Sequence, residues 1–321
     1  MSRPPDVTIS IVNHGGRETL LPLLASLERD LGGPLEVETV VLDNASEDGS
    51  VDAVRERFPW ARVIAQAHRA GFGANHNTIV RATSGRWVYL LSHDAEVMPG
   101  GLARLVAYGD ALPAVGAVAP RIRYPDGRPQ PSAWRFPSPL AAALAAPTLS
   151  RVGIVQSVGN EARRVDWAMA AALLLRREAL ERAGLFDEGF FMYSEETDLL
   201  RRLADAGYET HFLPSVTVLH HESTLRGALA CERIAEEWRS RRRYWRKHHS
   251  RPGGRVAAAL TGAQFAVRAL VASAANRVRP GAYDRSFPTR MRLHARHAFR
   301  GDGAPGLREG AERWNARRST S

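Results

Sequence analysis

Short apolar runs alternate with helical patterns through the first 120 residues, and this alternation restricts the fold more than any other feature of the sequence. Five runs predict strands at residues 7–12, 37–42, 62–65, 87–91 and 115–119. The segments between them predict helices at residues 18–31, 50–58, 74–83 and 101–112. Strands and helices in this order predict parallel βαβ units and a doubly wound α/β sheet. Because such sheets bind ligands at the carboxyl ends of their strands, the residues that follow these runs are the candidates for function.

The rest of the chain divides into a further α/β part and a helical extension. Residues 120–160 are rich in proline and arginine and predict a long loop or hairpin region over the site. The apolar run 165–175 lacks alternation and predicts a buried strand or helix, while residues 195–206 predict a helix and residues 208–219 contain a strand. We therefore predict one α/β domain over residues 1–225 and a basic helical extension over residues 226–321.

The charge of the chain is divided unequally between these two parts. Residues 1–224 carry 22 Lys and Arg against 27 Asp and Glu, whereas residues 225–321 carry 22 against 7, a net charge of +15. A basic extension of this kind fits an anionic partner such as lipid head groups, nucleic acid or a polyphosphate. The single cysteine, Cys231, predicts a reducing compartment. The polar start predicts no secretory signal, and no run of about 18 apolar residues predicts a confident spanning helix.

Two polar clusters follow predicted strands near the amino terminus. Asp43 and Asn44 come directly after the second strand, where an acidic side chain can accept hydrogen bonds from a nucleotide; the same residue types also form Asx turns. Arg69, Gly71 and Asn75 belong to a glycine-rich segment at the start of a helix, which permits close approach of the backbone to an anion. An ordinary tight turn is the alternative, and the segment lacks the ending of a P-loop.

Two further clusters carry carboxylates. His93 and Asp94 follow the fourth strand, where a carboxylate suits a divalent cation shared with phosphates, although a polar turn has the same composition. Glu195, Glu196 and Asp198 begin a predicted helix; the helix dipole favours acidic residues there, and one of the three can also act as a general base. His220 ends the last predicted strand and can complete a metal site, although surface histidines are common.

Taken in order, these segments resemble a known family. The text VVLDNASEDGS, GFGANHN, LLSHDAEVMPGG, YSEETDLLRR and VTVLHHES is similar to that of the family-two inverting glycosyltransferases of the GT-A fold, over residues 7–225. The bacterial branch that includes rhamnosyltransferases of cell-surface polysaccharide assembly is the most similar. The resemblance implies a Rossmann-like, mostly parallel sheet flanked by helices as the catalytic domain.

The resemblance also implies roles for particular residues. Asp43 matches the acidic residue that recognises the nucleotide base, and Asp94 matches the last aspartate of the DxD signature, which binds the metal. Glu196 matches the catalytic base, His220 a metal ligand, and Asp166 with Trp167 the acceptor side. The complete predicted nucleotide-sugar site comprises Val12, Asn13, Asp43, Asn44, Arg69, Gly71, Asn75, His93 and Asp94.

The sequence departs from the family pattern at two positions. Ser92 stands where the first aspartate of DxD is expected, so water is expected to replace one carboxylate on the metal. Glu196 stands where the family usually has aspartate, and its longer side chain moves the carboxylate outward by one methylene. Glu195 or Asp198 could therefore serve as the base instead.

These observations predict an inverting, metal-dependent glycosyltransferase. The resemblance implies a nucleoside-diphosphate sugar donor, Mg²⁺ or Mn²⁺ as cofactor, and a glycan or polyprenyl-diphosphate-linked acceptor, with rhamnose the commonest donor sugar of the branch. A nucleotide-sugar-binding protein with little turnover and a basic nucleic-acid-binding protein are the alternatives. Nucleic acid is not expected as a partner, and the oligomeric state is not predicted.

The basic extension is the remaining predicted feature. Its arginines are interleaved with Tyr244 and Trp245, which fits stacking on nucleic-acid bases or a membrane interface. Residues 256–278 are rich in alanine and amphipathic, which favours a helix lying in the plane of a membrane surface over a spanning one; a helical bundle packed on the catalytic domain is the alternative. We expect an anionic membrane surface as partner and a cytoplasmic protein, peripheral on the inner face of the cytoplasmic membrane.

Overall fold

The computed structural model describes residues 4–29, 33–145, 154–222, 229–301 and 303–319. The first α/β units are β1 (Val7–Asn13), α1 (Arg17–Glu28), β2 (Val37–Asp43), α2 (Ser50–Arg57), β3 (Ala61–Ala65), α3 (Phe72–Arg81), β4 (Trp87–Ser92), β5 (Ala95–Val97), α4 (Gly101–Asp110) and β6 (Val115–Arg123). They are followed by β7 (Ala133–Trp134), α5 (Pro139–Ala145), β8 (Arg163–Val165), β9 (Trp167–Ala168), β10 (Ala172–Arg176), α6 (Arg177–Arg182), α7 (Glu195–Asp205) and β11 (Glu209–His220). The C-terminal helices are α8 (Leu229–His248), α9 (Arg251–Val278), α10 (Phe287–Arg300) and α11 (Leu307–Arg318).

Nine strands of the described chain form the central sheet. Their order is β3-β2-β1-β4-β10-β6-β11-β5, with β8 paired to β11. β1 is parallel to β2 and β4, β2 to β3, and β6 to β11, while β10, β5 and β8 run in the opposite direction. The predicted Rossmann-like, mostly parallel sheet is therefore confirmed. The parallel pairing places the carboxyl ends of β1, β2 and β4 at one edge of the sheet.

The period-two alternation of β4 explains why both faces of the sheet are covered. Trp87, Tyr89 and Leu91 point into one core cluster with the leucines of α1, whereas Val88 and Leu90 point into a second cluster with α7. All five side chains are buried. Fully burying an apolar side chain of this size contributes about 1.5–3 kcal/mol, so each core fixes its helix against the strand ends.

Three sequence expectations need correction or qualification. The run 165–175 is neither one strand nor one helix, because it breaks into β8, β9 and β10, which pair with different strands. The region 120–160, predicted as a long loop or hairpin region, contains the end of β6, the short strand β7 and α5. The predicted end of α1 at Leu31 and the predicted domain boundary at residue 225 lie outside the described residues.

The C-terminal extension is helical as predicted, and α8 packs against the α/β part. Trp238, Tyr244 and Trp245 are buried in one cluster with Phe190, which precedes α7. The two interpretations of Tyr244 and Trp245 as a surface for bases or for a membrane interface were therefore wrong: period 3.6 puts both rings on the face of α8 that meets the core. The packed helical bundle was the alternative for residues 256–278, and in the structure it is α8, outside that range, that packs on the α/β part in this way.

The helix α9 has a different environment from α8. It packs against α5, α8 and α10, but much of it is open to solvent. Within the described part of the chain, α9 is long and apolar enough to cross a bilayer by length and composition. This differs from the expectation that no helix would qualify.

Candidate active site

The ends of β1 and β2 meet in a buried polar pair. Parallel register places Asn13 opposite Asp43. Asn13 Nδ2 donates to Asp43 Oδ1 over 2.9 Å, and the Ser46 backbone N–H donates to Asp43 Oδ2 over 2.9 Å. Val12 precedes Asn13 and is half-buried. These bonds fix the Asp43 carboxylate at the sheet edge where a nucleotide is expected. Asp43 thus forms the Asx turn and remains a candidate ligand of the nucleotide.

Asn44 connects this pair to the glycine-rich segment. Its side-chain Nδ2 donates to the Ala70 carbonyl over 3.1 Å, and the Ala70 N–H donates to Asn44 Oδ1 over 2.8 Å. Arg69, next to Ala70, is thereby brought beside the end of β2, and its charge contributes to lowering the pKa of His14, mainly a consequence of burial. Asn44 therefore acts on the backbone of the neighbouring loop.

Gly71 and Gly73 allow close packing against the segment before α7. A Cβ at Gly71 would lie 2.5 Å from the Phe191 carbonyl oxygen, and one at Gly73 would lie 2.8 Å from Phe186 Cβ. The Phe72 N–H, at the start of α3, donates to Phe191 O over 2.8 Å. The expectation that the Gly71 backbone approaches the nucleotide stays a prediction, and the structure gives Gly71 a packing role as well. Because Gly71 has no side chain, the segment before α7 packs closely against the loop beside Asn13 and Asp43, which we call the nucleotide edge.

Asn75 and His93 lie in the interior of this edge. Asn75 Nδ2 donates to the Ala70 carbonyl over 3.3 Å, and within the described chain its buried Oδ1 has no hydrogen-bond partner. His93 Nδ1 lies 2.8 Å from Thr19 Oγ1, and burial lowers the pKa of His93. The His93 ring is therefore held against the start of α1 in its neutral form, as a polar group without a charge.

Asp94 and His220 come from different strands and face each other. Asp94 follows β4, His220 ends β11, and His220 Nε2 lies 3.3 Å from Asp94 Oδ1. The Ser92 hydroxyl donates to the same carboxylate oxygen. His220 Nδ1 lies 3.0 Å from Gln130 Oε1. When Nδ1 donates its proton to Gln130, Nε2 carries a lone pair directed toward Asp94, which is the usual arrangement of a metal-ligating histidine.

The pair fits a divalent cation that is shared with a substrate. Two ligands bound at about 2.1 Å and at right angles lie about 3 Å apart, close to the observed separation of Asp94 and His220. Across the described ranges no three His, Cys, Asp or Glu side chains form a metal-binding group. Mg²⁺ commonly takes one or two protein ligands and completes its shell with phosphate and water, so two ligands suffice.

Glu195 and Glu196 begin α7 and have perturbed acidities. Burial raises the pKa of Glu196 to about 7. Burial and the neighbouring charge of Glu196 raise the pKa of Glu195 well above its usual range. Both Oε2 atoms are buried, and neither has a hydrogen-bond partner in the part of the chain that the structure describes. A carboxylate with a pKa near 7 is well matched to taking a proton at neutral pH.

The backbone before these glutamates is strained and is held by α8. Tyr193 and Ser194 have φ of 69° and 63°, which L-residues seldom adopt. Arg233 Nε donates to the Tyr193 hydroxyl over 3.1 Å, and the Ser240 hydroxyl donates to the Met192 carbonyl over 2.7 Å. Such strain persists only where the surroundings fix it, and it concentrates at functional sites. The C-terminal extension thus sets the direction of the first turn of α7.

Asp198 has a structural role, so its inclusion among candidate bases is corrected. Its side chain is fully buried and lies 2.9 Å from Arg202 Nε, 2.9 Å from Lys247 Nζ and 2.7 Å from His248 Nε2. These three groups occupy the carboxylate oxygens of Asp198. Asp198 therefore faces Lys247 and His248 of α8.

The predicted acceptor residues adjoin α7. β9, which contains Trp167, packs against α7. The Trp167 ring stacks on Trp134 with centroids 4.6 Å apart, and its Nε1 donates to the Arg135 carbonyl over 3.0 Å. Asp166 Oδ2 accepts from the Phe136 N–H over 2.9 Å. Asp166 therefore orders the 133–136 segment. Trp167 is partly exposed beside the helix that carries the glutamates, and the buried Trp134 lies behind it.

Several residues of this site were not found from the sequence. Gln130 and Trp134 lie in the proline-rich region that has no periodicity, and Trp314 and Asn315 lie in the extension but contact Arg69. A paired tryptophan pattern, Trp134 with Trp167, was the one available signal. The contact of Asn315 with Arg69 leaves no trace in local sequence.

Comparison with known proteins agrees with this arrangement. The family model described as "Glycosyl transferase family 2" matches residues 7–184. The N-acetylglucosaminyl-diphospho-decaprenol L-rhamnosyltransferase of Mycobacterium tuberculosis is 32% identical over 246 residues, covering 71% of this chain and 80% of that protein. The chain belongs to glycosyl transferase family 2 and is a glycosyltransferase.

Two solved structures have the same fold at low sequence identity. The mannosyltransferase PcManGT from Pyrobaculum calidifontis, in complex with GDP-Man and Mn²⁺, has a TM-score of 0.62 and 19% identity over 93% of this chain and 88% of that chain. GalNAc-T7 with UDP, GalNAc and Mn²⁺ has a TM-score of 0.53 and 18% identity, covering 68% of this chain and 44% of that longer chain. Both are GT-A glycosyltransferases, so the predicted GT-A fold is confirmed.

Proposed function

We propose that this glycosyltransferase moves a sugar from a nucleoside-diphosphate donor to a hydroxyl of a lipid-linked glycan, with inversion at the anomeric carbon. The observation that carries the proposal is Glu196, whose pKa of about 7 and unbonded Oε2 provide a base at the start of α7. Gly71 packs on Phe191, so this base lies in the segment adjoining the nucleotide edge.

On the donor side, the chain supplies a polar edge and a cation site. Asp43, held by Asn13, accepts hydrogen bonds from the nucleotide, with Asn75 and Arg69 beside it. Asp94 and His220 would hold Mg²⁺ or Mn²⁺, which would supply positive charge to offset the negative charge that develops on the departing diphosphate. Gln130 fixes the ring of His220, and Ser92 fixes the carboxylate of Asp94.

Glu196 then performs the proton transfer. Its Oε2 accepts the proton of the acceptor hydroxyl as that oxygen bonds to C1 of the sugar from the face opposite the diphosphate. The bond from C1 to the diphosphate oxygen breaks and the nucleoside diphosphate leaves with the electron pair. One displacement inverts C1, so no covalent intermediate with the protein is required. Burial and the neighbouring Glu196 raise the pKa of Glu195, which disfavours a second negative charge beside the base.

The acceptor and the donor sugar are proposed from the chain's similarity and its aromatic surface. The name of the mycobacterial relative describes transfer of L-rhamnose to a diphospho-decaprenol-linked N-acetylglucosamine. A rhamnose donor carried on dTDP and a polyprenyl-diphosphate-linked acceptor are proposed here by that similarity. The partly exposed Trp167, held by its stack on the buried Trp134, offers a flat apolar surface next to α7 on which an acceptor sugar ring can lie.

Peripheral attachment to an anionic membrane is proposed for α9. Its exposed apolar side chains are separated by helical spacings that place them within an arc of about 100°, namely Val256, Val267, Leu270, Val271 and Val278. Exposed Arg277 and Arg279 flank Val278. The neighbouring α10 packs along α9 and exposes arginines, which are costly in hydrocarbon. If α9 lies in the plane of the inner face of the cytoplasmic membrane, its apolar side chains enter the membrane surface while the arginines stay at the head groups.

The proposed reaction is tested by direct product analysis. The full chain is incubated with dTDP-rhamnose, UDP-N-acetylglucosamine or GDP-mannose and a polyprenyl-diphosphate-linked N-acetylglucosamine, with Mn²⁺, Mg²⁺ or EDTA. We expect cation-dependent transfer, with an inverted anomeric configuration by NMR, from one of these donors. Glu196→Gln is the inactive control. Retention of configuration, or donor binding without transfer from any donor, would contradict the proposal.

A further inference from the structure

The last helix of the chain reaches the loop that carries Arg69. The Arg69 N–H donates to Asn315 Oδ1 over 2.8 Å, and Asn315 Nδ2 donates to the Arg69 carbonyl over 3.0 Å, across 246 positions of sequence. The next residue, Ala70, is held in the same way by the side chain of Asn44. Two asparagine side chains, one after β2 and one in α11, therefore hydrogen-bond to the backbone of the consecutive residues Arg69 and Ala70 at the nucleotide edge.

The side chain of Arg69 is also fixed by α11. Its guanidinium carbon lies 4.1 Å from the centre of the Trp314 ring, and that of Arg318 lies 5.1 Å from it. Glu47, in the loop after β2, lies 2.9 Å from Arg318 Nη1 and 3.9 Å from Arg69 Nη2. A cation–π contact and a shared carboxylate thus join α11 to two loops of the nucleotide edge.

Arg69 retains unused donor capacity in this arrangement. A guanidinium has five N–H donors, and the buried Nε of Arg69 has no hydrogen-bond partner among the residues that the structure describes. Most of its side chain is buried, with 23% exposed. A cation held in one direction with a free N–H suits an anionic ligand, because less conformational freedom is lost on binding.

The start of α11 is anchored elsewhere, which makes the helix a bridge. Arg308 Nη2 donates to the Gly189 carbonyl over 2.8 Å, and Arg313 pairs with Glu232 of α8 at 3.4 Å. Gly306 lies so close to Glu236 that a Cβ there would be 2.5 Å from its carboxylate. α11 therefore runs from the helices of the extension to the nucleotide edge.

We propose that α11 is part of the donor site, where Trp314 and Asn315 are positioning residues that hold Arg69 toward the nucleoside diphosphate. This inference rests on the proposed function, since it requires a nucleotide at the edge formed by Asn13 and Asp43. It gives the basic extension a role in donor binding that is separate from membrane attachment. The effect is on affinity for the nucleoside diphosphate, because neither residue contacts the reacting atoms.

Binding of dTDP and UDP to the full-length chain, measured by calorimetry with Mn²⁺, tests the inference. Trp314→Ala and Asn315→Ala should each raise Kd by about tenfold, the equivalent of one lost hydrogen bond to a charged or ordered group. The donor KM should rise in parallel while kcat stays within about twofold. Trp314→Phe, which keeps an aromatic face, should bind nearly as wild type. Glu312→Ala, at an exposed position of the same helix, is the matched control and should leave Kd unchanged.

A double-mutant cycle with Arg69→Ala separates the possible failures. In the Arg69→Ala background, Trp314→Ala should add less than about a twofold change in Kd. If Arg69→Ala alone leaves Kd unchanged, the nucleotide role of Arg69 in the proposed function is wrong. If Arg69→Ala weakens binding but the Trp314 and Asn315 variants do not, or if their effects simply add, the inference about α11 is overturned while the proposed function stands. Equal melting temperatures of the variants exclude a general loss of folding.

Discussion

Asp198 Oδ1 lies 2.9 Å from Lys247 Nζ, and this ion pair ties the helix that begins with the candidate base to the first helix of the C-terminal extension. His248 and Arg202 complete the shell of the same buried carboxylate. The direction of Glu196 therefore depends on contacts made by residues about fifty positions further along the chain. Asp198 holds α7 in place against α8, and this fixes the position of Glu196 in the first turn of the same helix.

Removing the charge of Asp198 should affect stability. Breaking a buried ion pair by removing one partner costs about 3–5 kcal/mol, because the remaining charges are left uncompensated. We expect Asp198→Asn to lower the free energy of unfolding by about 3 kcal/mol. Asp205→Asn is the control, since Asp205 is 55% exposed and pairs with Arg201 on the surface of α7, where a loss below about 1 kcal/mol is expected. Denaturant unfolding measures both, and equal losses would contradict the structural role of Asp198.

Glu196→Gln should remove the base without removing donor binding. The loss of a general base reduces kcat by about 10²–10⁴-fold. We expect at least a hundredfold loss for Glu196→Gln, unchanged Kd for the nucleoside diphosphate, and a smaller effect for Glu195→Gln. Steady-state kinetics and calorimetry on both variants provide the measurement. A nearly wild-type kcat in Glu196→Gln together with an inactive Glu195→Gln would place the base on Glu195.

The pH dependence of kcat should report the same carboxyl. Glu196 must be ionised to accept a proton, and its pKa is about 7, so kcat should rise with pH through about 7 and fall about tenfold per unit below it. The raised pKa also means that the folded state prefers the protonated form. The stability contributed by Glu196 is thus present below its ordinary carboxyl pKa and is lost as pH rises through about 7. Glu196→Gln should flatten this fall in melting temperature between pH 5 and 8.

The cation site should respond to its ligands and to Gln130. Asp94→Ala should abolish Mn²⁺-dependent binding of the nucleoside diphosphate. His220→Ala, and Gln130→Ala through the orientation of His220, should raise the Mn²⁺ concentration for half-maximal binding by about 10–100-fold. His221→Ala is the control, because its ring is 42% exposed and lies 3.8 Å from Glu96. Mn²⁺-dependent binding in the Asp94 variant equal to that of wild type would remove Asp94 from the site.

Membrane attachment should depend on the apolar face of α9. Leu270 and Val271 are 69% and 45% exposed, so the double change to serine should weaken flotation with anionic liposomes without loss of melting temperature. Leu112→Ser, at a 37% exposed position outside the extension, is the control. Point changes are preferable to deleting the extension, because Trp238 and Trp245 belong to a buried core. Flotation that is unaffected by the double change and by salt would indicate a purely structural α9.

The sequence by itself determined the α/β architecture and the positions at which polar residues meet. Period-two burial and βαβ spacing are local properties, and they placed Asn13, Asp43 and Asp94 at the ends of strands that parallel pairing brings to one edge. The hydrogen bond between Asn13 and Asp43 follows directly from that register.

Only the tertiary structure decided which of these residues are available to a ligand. Phe191 takes the place that a side chain at Gly71 would need, which gives that glycine a packing role the sequence did not show. Asp198 looked like a candidate base, but it is occupied by Lys247 and His248. The residue types are the same in either case, and what distinguishes them is a neighbour from a distant segment. The two bonds between Arg69 and Asn315 were inaccessible to sequence reasoning for the same reason, because local periodicity carries no information about which helix face meets which loop.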